Sequence, residues 1–426
     1  MLKGLNLKRF WKDLVRILAV QPFWFGRFFC HYPIAQIRRI LSPVRWVLIV
    51  PGDPNTLSGS KGDEAMLKVV ITELRQRLGT IQISAMTHVV HGKKAAADLG
   101  IAPFKWRRLG YKLRSRLLSF DTIIFIGADV MDGSFGDEWS CKFWTLADQS
   151  ARDGCRVAIM GFSFDESPPK SVLAKISKVS RRVKINLRDP VSFRRFERHF
   201  PQRASLTSDV AFLLEPRQPQ NGPQDIFKWV QSRKAAGDSV VGINLNPHLL
   251  KDAPGLTMDQ LMKASVQAIL NVASAQPCSF LLIPHDTRKG INDEEFLRQM
   301  EDQLKTPLGV RLALASGEFH ADEIKALVGL VDVVFTGRMH LAIAALGQSV
   351  PIGVITYNGK FEGLVEHFHL PEWLLVTPAK ACSAAVIQDI ILRLLSERHG
   401  LIDQIKTRLP AVLQLSKTNF NDFLQP

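Results

Sequence analysis

Short segments of mainly apolar residues, bounded by turn-forming residues, recur along most of this chain. They occupy residues 46–50, 122–127, 157–161, 183–187, 240–245, 280–283, 331–335 and 351–355. Short runs of this kind predict strands that are buried on both faces. Between them, apolar positions recur at helical spacing, for example in 63–78, 257–273 and 293–304. Strands that alternate with helices predict parallel, doubly wound sheets of the α/β class.

The alternation is interrupted at residues 215–223, where Pro, Gly and polar residues predominate. That composition is typical of a linker between domains. We therefore expect two Rossmann-like domains facing each other across a cleft, with ligands at the carboxyl ends of the strands. The predicted division is an extension at 1–45, a domain at 46–215, a linker at 216–223, a second domain at 224–380 and C-terminal helices at 381–426.

Composition narrows the class of protein further. Hydrophobic residues make up 46% of the 426 residues, which excludes a disordered or collagen-like chain. The five cysteines form no CxxC pair, which argues against a disulfide scaffold or a structural zinc site and favours a reducing cytosol. Because 55 Lys and Arg stand against 40 Asp and Glu, the formal charge is +15 and the expected partners are anionic.

The first 45 residues are unusually basic and aromatic. Nine Lys or Arg stand there against a single acid, Asp13, and Phe and Trp residues lie between them. This mixture favours a segment that lies on an acidic membrane surface. The alternative is an extension that packs on its own domain. No uninterrupted apolar run is long enough to span a bilayer, so we expect a cytoplasmic protein that is peripheral on the cytoplasmic face of the membrane.

Two polar loops follow predicted strands and could bind hydroxyl groups. The loop at 52–65 contains Asn55, Lys61 and Asp63, and the loop at 127–136 contains Asp129 and Asp132. Backbone N–H groups at a helix start suit an anion, and carboxylates bind hydroxyls. The alternatives are helix capping in the first loop and a tight turn in the second.

Cationic side chains also cluster at predicted strand ends. Arg188 ends one strand, Arg338 and His340 lie where another strand passes into a helix, and Lys360 follows the next strand. Adjacent parallel strands would bring these last three to the same rim, where an anion is favoured. The alternatives are an Arg188 that pairs with a nearby acid and a structural histidine. His285 follows another strand and could touch substrate, whereas we expect Asp209 to orient loops.

These motifs resemble those of the polysaccharide pyruvyl transferases. The resemblance covers about residues 45–375. It is carried by Lys61-Gly62-Asp63-Glu64-Ala65, Arg188-Asp189-Pro190-Val191-Ser192, Ser208-Asp209, Tyr357-Asn358-Gly359-Lys360 and, above all, Gly337-Arg338-Met339-His340. The chain departs from the family's pattern at Gly127-Ala128-Asp129, where the family often has a glycine-rich stretch, and in extra residues at 53–61.

The resemblance implies a GT-B-like fold and a transferase that moves pyruvate from phosphoenolpyruvate onto two hydroxyls of a sugar as a ketal. It implies that Arg188, Arg338, His340 and Lys360 bind phosphoenolpyruvate, because they match the family's functional residues. The first domain would hold the acceptor, which could be lipid-linked, and the second would hold the donor. No metal or organic cofactor is expected.

For this chemistry we expect His340 to donate the proton and Asp63 or Asp132 to accept one, with Arg338 stabilising charge. The residues expected to bind the acceptor are Asn55, Lys61, Asp129, Asp132 and His285. Replacing His340 or Arg338 by Ala should then abolish transfer and leave the fold intact.

Two other functions are compatible with parts of the sequence. A nucleotide-sugar glycosyltransferase would share the two-domain architecture and would use Arg and Lys to bind a diphosphate. A nucleic-acid binder is suggested by the basic clusters at 105–108 and 194–198, but no binding motif accompanies them. Solvated helix faces or a membrane-facing surface explain those clusters better, so we expect no nucleic-acid partner.

Overall fold

The computed structural model describes residues 44–87, 90–105, 116–134, 136–219, 223–250, 253–288, 290, 292–356 and 359–421. The basic N-terminal segment, apart from Val44 and Arg45, lies outside these residues, as do Tyr357 and Asn358 of the sequence motif.

Among the described residues, the first sheet has seven parallel strands. They are β1 Arg45–Val50, β2 Ile81–Met86, β3 Ala102–Phe104, β4 Thr122–Ala128, β5 Arg156–Phe162, β6 Val183–Leu187 and β7 Ser205–Leu206. Their order across the sheet is β3-β2-β1-β4-β5-β6-β7. Alternate residues of β1 enter two different hydrophobic cores: Val47 and Ile49 enter one, and Leu48 and Val50 enter the other. Burial on both faces is the reason that this strand is apolar throughout.

The second sheet has six parallel strands within the part of the chain that the structure describes. They are β8 Ser239–Asn244, β9 Cys278–Leu282, β10 Leu312–Leu314, β11 Val333–Thr336, β12 Ile352–Ile355 and β13 Leu375–Val376. Their order is β10-β9-β8-β11-β12-β13, which repeats the winding of the first sheet. The predicted pair of doubly wound parallel sheets is confirmed, and both change winding direction beside their first strand, where ligands bind in such sheets.

Helices connect the strands and cover the sheets. They are α1 Lys61–Leu78, α2 Val90–Asp98, α3 Asp137–Arg152, α4 Lys170–Ile176, α5 Pro190–His199, α6 Gln224–Ala235, α7 Met258–Ala275, α8 Asp293–Leu308, α9 Ala321–Val328, α10 Met339–Gly347, α11 Lys360–His367, α12 Pro378–Ala381 and α13 Ala384–Lys417. None of the helices in the described part of the chain is both long enough and apolar enough to cross a membrane.

The predicted C-terminal helical tail is one long helix, α13, that contacts both domains. Its first half buries Ile387, Ile391 and Leu394 in the core shared with the second sheet. Its C-terminal third reaches the first domain, where the Ser208 hydroxyl donates to the carbonyl of Val412 at 2.8 Å. The helix therefore joins the two domains, in addition to the linker.

Candidate functional site

The carboxyl ends of the two sheets face each other, and backbone hydrogen bonds connect them directly. The N–H of Lys61 donates to the carbonyl of His285 at 3.0 Å, and the N–H of Thr287 donates to the carbonyl of Gly59 at 2.9 Å. The loop between β1 and α1 is thus bound to the loop that follows β9. These hydrogen bonds hold the two domains together beside the groups described below.

His340 lies between the two domains. It is the second residue of α10, for which Arg338 is the N-cap, so the predicted position at a helix start is confirmed. A Cβ at position 62 would collide with the His340 imidazole, so the close approach of the domains requires glycine there. Nε2 of His340 is 3.4 Å from Oδ2 of Asp209 and has no hydrogen-bond partner among the described residues.

Arg188 and Asp209 form a buried ion pair beside His340. Arg188 follows β6, and its guanidinium donates to Asp209 at 3.0 Å and to the hydroxyl of Ser163 at 2.8 Å. Burial alone would raise the pKa of Asp209, but His340 and Arg188 outweigh it and hold that pKa below its usual range. One alternative for Arg188 was pairing with a nearby acid. The structure contains such a pair, and the acid is Asp209.

Lys360 connects the second domain to Asp129 of the first. It begins α11 after Gly359, which caps the helix with φ of +62°, and its side chain is buried. Nζ of Lys360 donates to Oδ2 of Asp129 at 2.5 Å. Burial would raise the pKa of Asp129, but Lys360 and then Arg188 overcome it and lower the pKa to about 2. Ala128 holds φ of +41°, a conformation that suits the glycine-rich stretch this chain lacks.

Arg338 belongs to a neighbouring cluster of charges. Its guanidinium contacts Asp293 at 2.5 Å and Asp286 at 3.2 Å. Asp293 is fully buried and also accepts hydrogen bonds from the Asn244 amide at 3.0 Å and the His285 N–H at 3.1 Å. Burial raises the pKa of Asp293 even though Arg338 opposes it. Arg338 therefore stabilises buried carboxylates of its own domain.

Asp63 is the candidate base that lies near His340. It stands in the first turn of α1, next to Gly62. Burial raises the pKa of Asp63 to about 6, although Arg288 and His340 act in the opposite direction. A carboxyl group with such a pKa can gain and lose a proton near neutral pH.

Asp132, the other candidate base, is held inside a turn. Its carboxylate accepts from the N–H groups of Ser134 at 2.9 Å and Asp165 at 3.2 Å. Burial raises the pKa of Asp132 to about 6, against the hydrogen bonds from Ser134. These backbone bonds agree with the tight-turn alternative for this residue.

The remaining predicted acceptor residues differ in their surroundings. Asn55 is exposed, and its N–H donates to Asp53 at 2.8 Å. Lys61 contacts Glu64 at 3.1 Å through Nζ. His285 is buried, and this burial, reinforced by His340 and Arg338, holds the pKa of His285 well below its usual value. His285 is therefore neutral and joins the domains through its backbone.

The sequence predicts that Asp209 orients loops, but it does not predict that Asp209 lies beside His340. One carboxylate oxygen of Asp209 faces both Arg188 and His340. Its position after β7 places Asp209 at the same rim as Arg188, and this position could have identified it. However, β7 has only two residues and the sequence does not predict it. Each of the three predicted cations Arg188, Arg338 and Lys360 has a carboxylate partner. The described residues contain no group of three or more His, Cys, Asp or Glu side chains arranged to hold a metal ion.

Comparisons with known proteins agree with this architecture. The fold is similar to that of a UDP-N-acetylglucosamine 2-epimerase, with TM-score 0.58, 10% identity, and 89% of this chain and 95% of that chain covered. It is also similar to the UDP-GlcNAc 2-epimerase from Neisseria meningitidis bound to UDP-GlcNAc, with TM-score 0.53, 10% identity, and 90% and 100% covered. A glycosyltransferase from Rickettsia africae has TM-score 0.53 and 10% identity, with 89% and 99% covered.

These neighbours have the GT-B fold, and at such identities the similarity concerns the fold alone, so the predicted GT-B-like architecture is confirmed. No curated protein matches the sequence. The sequence model described as "Polysaccharide pyruvyl transferase" matches residues 61–359, a range that includes Asp63, Arg188, Asp209, His340 and the beginning of the Lys360 motif. The chain therefore belongs to the polysaccharide pyruvyl transferase family.

Proposed function

We propose that the protein transfers pyruvate from phosphoenolpyruvate to two hydroxyls of a sugar, in an extracellular polysaccharide or its lipid-linked oligosaccharide precursor, and releases phosphate. Family membership supports the class of reaction. The observation that carries the finer assignment is that Arg188 of the first domain meets His340 and Lys360 of the second in one cleft, with Asp209 between Arg188 and His340 and with Asp129 paired to Lys360. These are the fixed cations and the proton donor that a small, doubly anionic donor requires.

Binding of the donor would rearrange the pair between Lys360 and Asp129. A phosphate or carboxylate group of phosphoenolpyruvate competes with Asp129 for the Lys360 ammonium. Asp129 is about one quarter exposed, so its side chain can turn toward solvent or toward a sugar hydroxyl. Asp209 is fully enclosed, so Arg188 keeps that partner and contributes its remaining N–H groups.

The proposed chemistry has two steps at C2 of the donor. His340 gives a proton to C3, the first sugar hydroxyl oxygen bonds to C2, and Asp63 takes the hydroxyl proton. The bond from C2 to the phosphate oxygen then breaks, the second hydroxyl oxygen bonds to C2, and its proton leaves with the phosphate. The products are a pyruvate ketal and inorganic phosphate, with no change in redox state and no metal or organic cofactor.

The direct test is incubation of the full chain with phosphoenolpyruvate and free or lipid-linked oligosaccharides. The acceptor should gain the mass of one pyruvate less one water, and phosphate should appear in equal amount. Replacing His340 by Ala should reduce phosphate release by on the order of 10²–10³ or more while the unfolding transition is unchanged. Acceptor modification at the wild-type rate by folded His340→Ala protein would remove His340 from the mechanism.

The alternative function is a glycosyltransferase that uses a nucleotide sugar. It is supported by the shared fold with a glycosyltransferase and with a 2-epimerase bound to UDP-GlcNAc. A thermal-shift titration with phosphoenolpyruvate, UDP-sugars and GDP-sugars separates the two functions. We expect a shift with phosphoenolpyruvate that is lost in Lys360→Ala, and a shift with a nucleotide sugar alone would favour the alternative.

We also propose that the protein is cytoplasmic and binds an acidic membrane surface, where a lipid-linked acceptor would be held. The sequence of residues 1–45 suggests this, and a basic edge of the first sheet supports it. That edge lies at the amino ends of the strands, where the chain enters β1. This edge also has the carboxylates of Asp121, Asp148 and Asp153, and Asp148 contacts Arg152 at 3.0 Å, but its cations are more numerous: Arg152, Arg156, Lys178, Arg181, Arg182 and Arg203.

The basic edge is held together by hydrogen bonds from its arginines to backbone carbonyls. Arg152 donates to Lys178 at 3.2 Å, and Arg203 donates to Ser180 at 2.6 Å. Co-sedimentation with vesicles of acidic and of neutral lipid tests membrane binding. Binding to acidic vesicles should weaken when residues 1–40 are deleted. Equal binding by the full and the truncated chains would show that this segment does not bind the membrane.

A further inference from the structure

Asp209 is held in one orientation by hydrogen bonds on both of its carboxylate oxygens. Oδ1 accepts the N–H of Ala211 at 2.9 Å and so caps the short 3-10 helix at 210–213. Oδ2 accepts the Arg188 N–H at 3.0 Å. The carboxylate therefore cannot turn without breaking a buried hydrogen bond, which is costly when the groups cannot reach water.

The backbone of the same turn is fixed by the end of α13. The hydroxyl of Ser416 donates to the Asp209 carbonyl at 2.7 Å, and the amide of Asn419 donates to the Ser208 carbonyl at 2.9 Å. Both side chains are fully buried. Three elements of the chain, namely β6, the turn at 208–209 and α13, thus determine where Oδ2 of Asp209 points.

The imidazole of His340 is confined between this carboxylate and the first domain. Nε2 is 3.4 Å from Oδ2 of Asp209, and the opposite side of the ring lies against Gly62, with Nδ1 as the nearest atom to a Cβ built there. Hydrogen bonds that serve catalysis are often long before substrate binds and shorten in the complex. The ring therefore presents Nε2 to Asp209 and Nδ1 to the start of α1 at Gly62.

We infer that Asp209 is the positioning residue for His340: it accepts Nε2–H, and Nδ1 is left to deliver the proton to the donor. The inference rests on the proposed function for the identity of that donor, but not for the arrangement of the two side chains. A carboxylate that accepts from one imidazole nitrogen fixes the tautomer and orientation of the ring. Because Arg188 neutralises Asp209, the carboxylate can remain ionised in a buried place and still face the histidine.

The arrangement determines the direction of proton flow. The protonated imidazole gives its Nδ1 proton to C3 of phosphoenolpyruvate and becomes the neutral ring with hydrogen on Nε2. In that form Asp209 still accepts a hydrogen bond, so the ring does not have to turn before it is reprotonated. A histidine with the other tautomer would have no hydrogen to offer Asp209 from Nε2.

The first experiment reads the tautomer without using activity. The ¹⁵N shifts of His340, assigned by comparison with His340→Gln, are measured in the full chain while the pH is raised until the shifts no longer change. We expect hydrogen on Nε2 in the wild type and a mixture of tautomers in Asp209→Asn. Hydrogen on Nδ1 in the wild type, or a tautomer unchanged in Asp209→Asn, would overturn the inference whether or not pyruvyl transfer is found.

The second experiment uses pyruvyl transfer, with Asp189→Asn as the matched control. Asp189 is an equally buried helix cap whose carboxylate accepts from the N–H and the hydroxyl of Ser192, both at 2.7 Å. We expect Asp209→Asn to lower kcat by about 10²–10⁴-fold, the effect of losing a general acid, with a much smaller change in KM for phosphoenolpyruvate. The control should lower stability and leave kcat unchanged.

Equal loss of kcat in both variants would mean that Asp209 is merely structural. The double variant Asp209→Asn, His340→Gln adds a further check, because residues that act as a unit are not additive. Its kcat should be close to that of His340→Gln alone. A further loss, equal to the product of the two single effects, would contradict the inference.

Discussion

Asp63 and Glu64 are consecutive residues of α1, yet they have opposite electrostatic surroundings. Asp63 belongs to a group that we call the cleft cluster, which consists of Asp63, Asp129, Arg188, Asp209, His340 and Lys360. Glu64 belongs to a second group that we call the linker cluster, which consists of Glu64, Lys68, Arg217, His320 and Asp322. The pKa of Asp63 is raised to about 6 by burial, whereas that of Glu64 is lowered to about 2 because its partners outweigh burial.

The linker cluster pairs each of its carboxylates with a cation or a histidine. Glu64 is buried and contacts Lys68 at 3.1 Å and His320 at 2.8 Å. Asp322 contacts Lys68 at 2.8 Å and Arg217 of the predicted linker at 3.0 Å. These pairs join α1 of the first domain to the start of α9 in the second. The cluster therefore contributes to holding the domains together.

The cleft cluster is less completely satisfied. The contact between Nε2 of His340 and Asp209, at 3.4 Å, is longer than the 2.8–3.1 Å contacts of the linker cluster, and burial keeps the pKa of Asp63 high. Groups with perturbed protonation in a cleft are candidates for chemistry, whereas fully paired groups are candidates for structure. The comparison therefore predicts that variants of the two clusters will separate activity from stability.

The largest effect on activity in this comparison should come from Asp63→Asn. As the proposed base, Asp63 must be ionised, so wild-type kcat should rise as pH increases through about 6, and the variant should lose this limb together with about 10²–10⁴-fold in rate. Because the pKa of Asp63 is raised on folding, the folded state binds this proton more tightly than the unfolded chain does. Stability is therefore lost as pH increases from about 4 to about 6. The variant should therefore be at least as stable as the wild type at pH 7. Phosphate release against pH and urea unfolding measure both effects, and an acid limb retained in the variant would contradict the assignment.

Arg338→Ala should mainly affect folding. It leaves the buried carboxylate of Asp293 without its cation, which typically costs about 3–5 kcal/mol. The structure thus changes the sequence-based expectation that this variant keeps its fold. Urea unfolding measures the loss, and adding Asp293→Asn to Arg338→Ala should recover part of it. A variant as stable as the wild type would show that Arg338 is available for substrate.

Glu64→Gln should lower stability by about 1.5–3 kcal/mol, because hydrogen bonds to charged groups are lost while the shape is kept. The lowered pKa of Glu64 means that its contribution is complete above about pH 4.5 and is lost as pH falls toward 2. The difference from the wild type should therefore disappear in acid. The kcat of the folded variant should be unchanged, and a large fall in kcat would contradict the separation of the clusters.

The smallest effect should come from His320→Gln. The hydrogen bond to Glu64 raises the pKa of His320, although burial opposes it, and the side chain is more than half exposed. Its protonated form stabilises the fold below pH 6.5, and this contribution is lost as pH rises through the raised pKa. We expect a loss below about 1 kcal/mol at pH 6 and none at pH 9, by thermal unfolding at the two pH values. An equal loss of stability at both pH values would indicate that His320 contributes through packing alone.

The central strands could be predicted from sequence because nearly all of their residues are buried. The run at 157–161 corresponds to β5 at Arg156–Phe162, and that at 183–187 coincides with β6. The unpredicted strands include β3, β7, β10 and β13, which lie at sheet edges and have two or three residues each. Such short strands carry too little apolar pattern to stand out from a loop.

The site was predictable only as far as the strands were. The shared rim of His340 and Lys360 follows from the parallel pairing of β11 with β12. The partner of Arg338, Asp293, is 45 residues distant in sequence and has no local signal. The place of Asp209 depends in addition on how α13 packs, and its contact with Ser416 spans 207 residues.

The long-range contact of α13 with the turn at 208–209 also orders events in time. Ribosomes synthesise the chain from its amino end, so β6 and Arg188 emerge long before Ser416 and Asn419. The two hydrogen bonds that fix the backbone of this turn cannot form until these late residues are available. A nascent chain could therefore fold both sheets and still lack the arrangement proposed for proton delivery. The enzyme would become competent only when synthesis has passed residue 419.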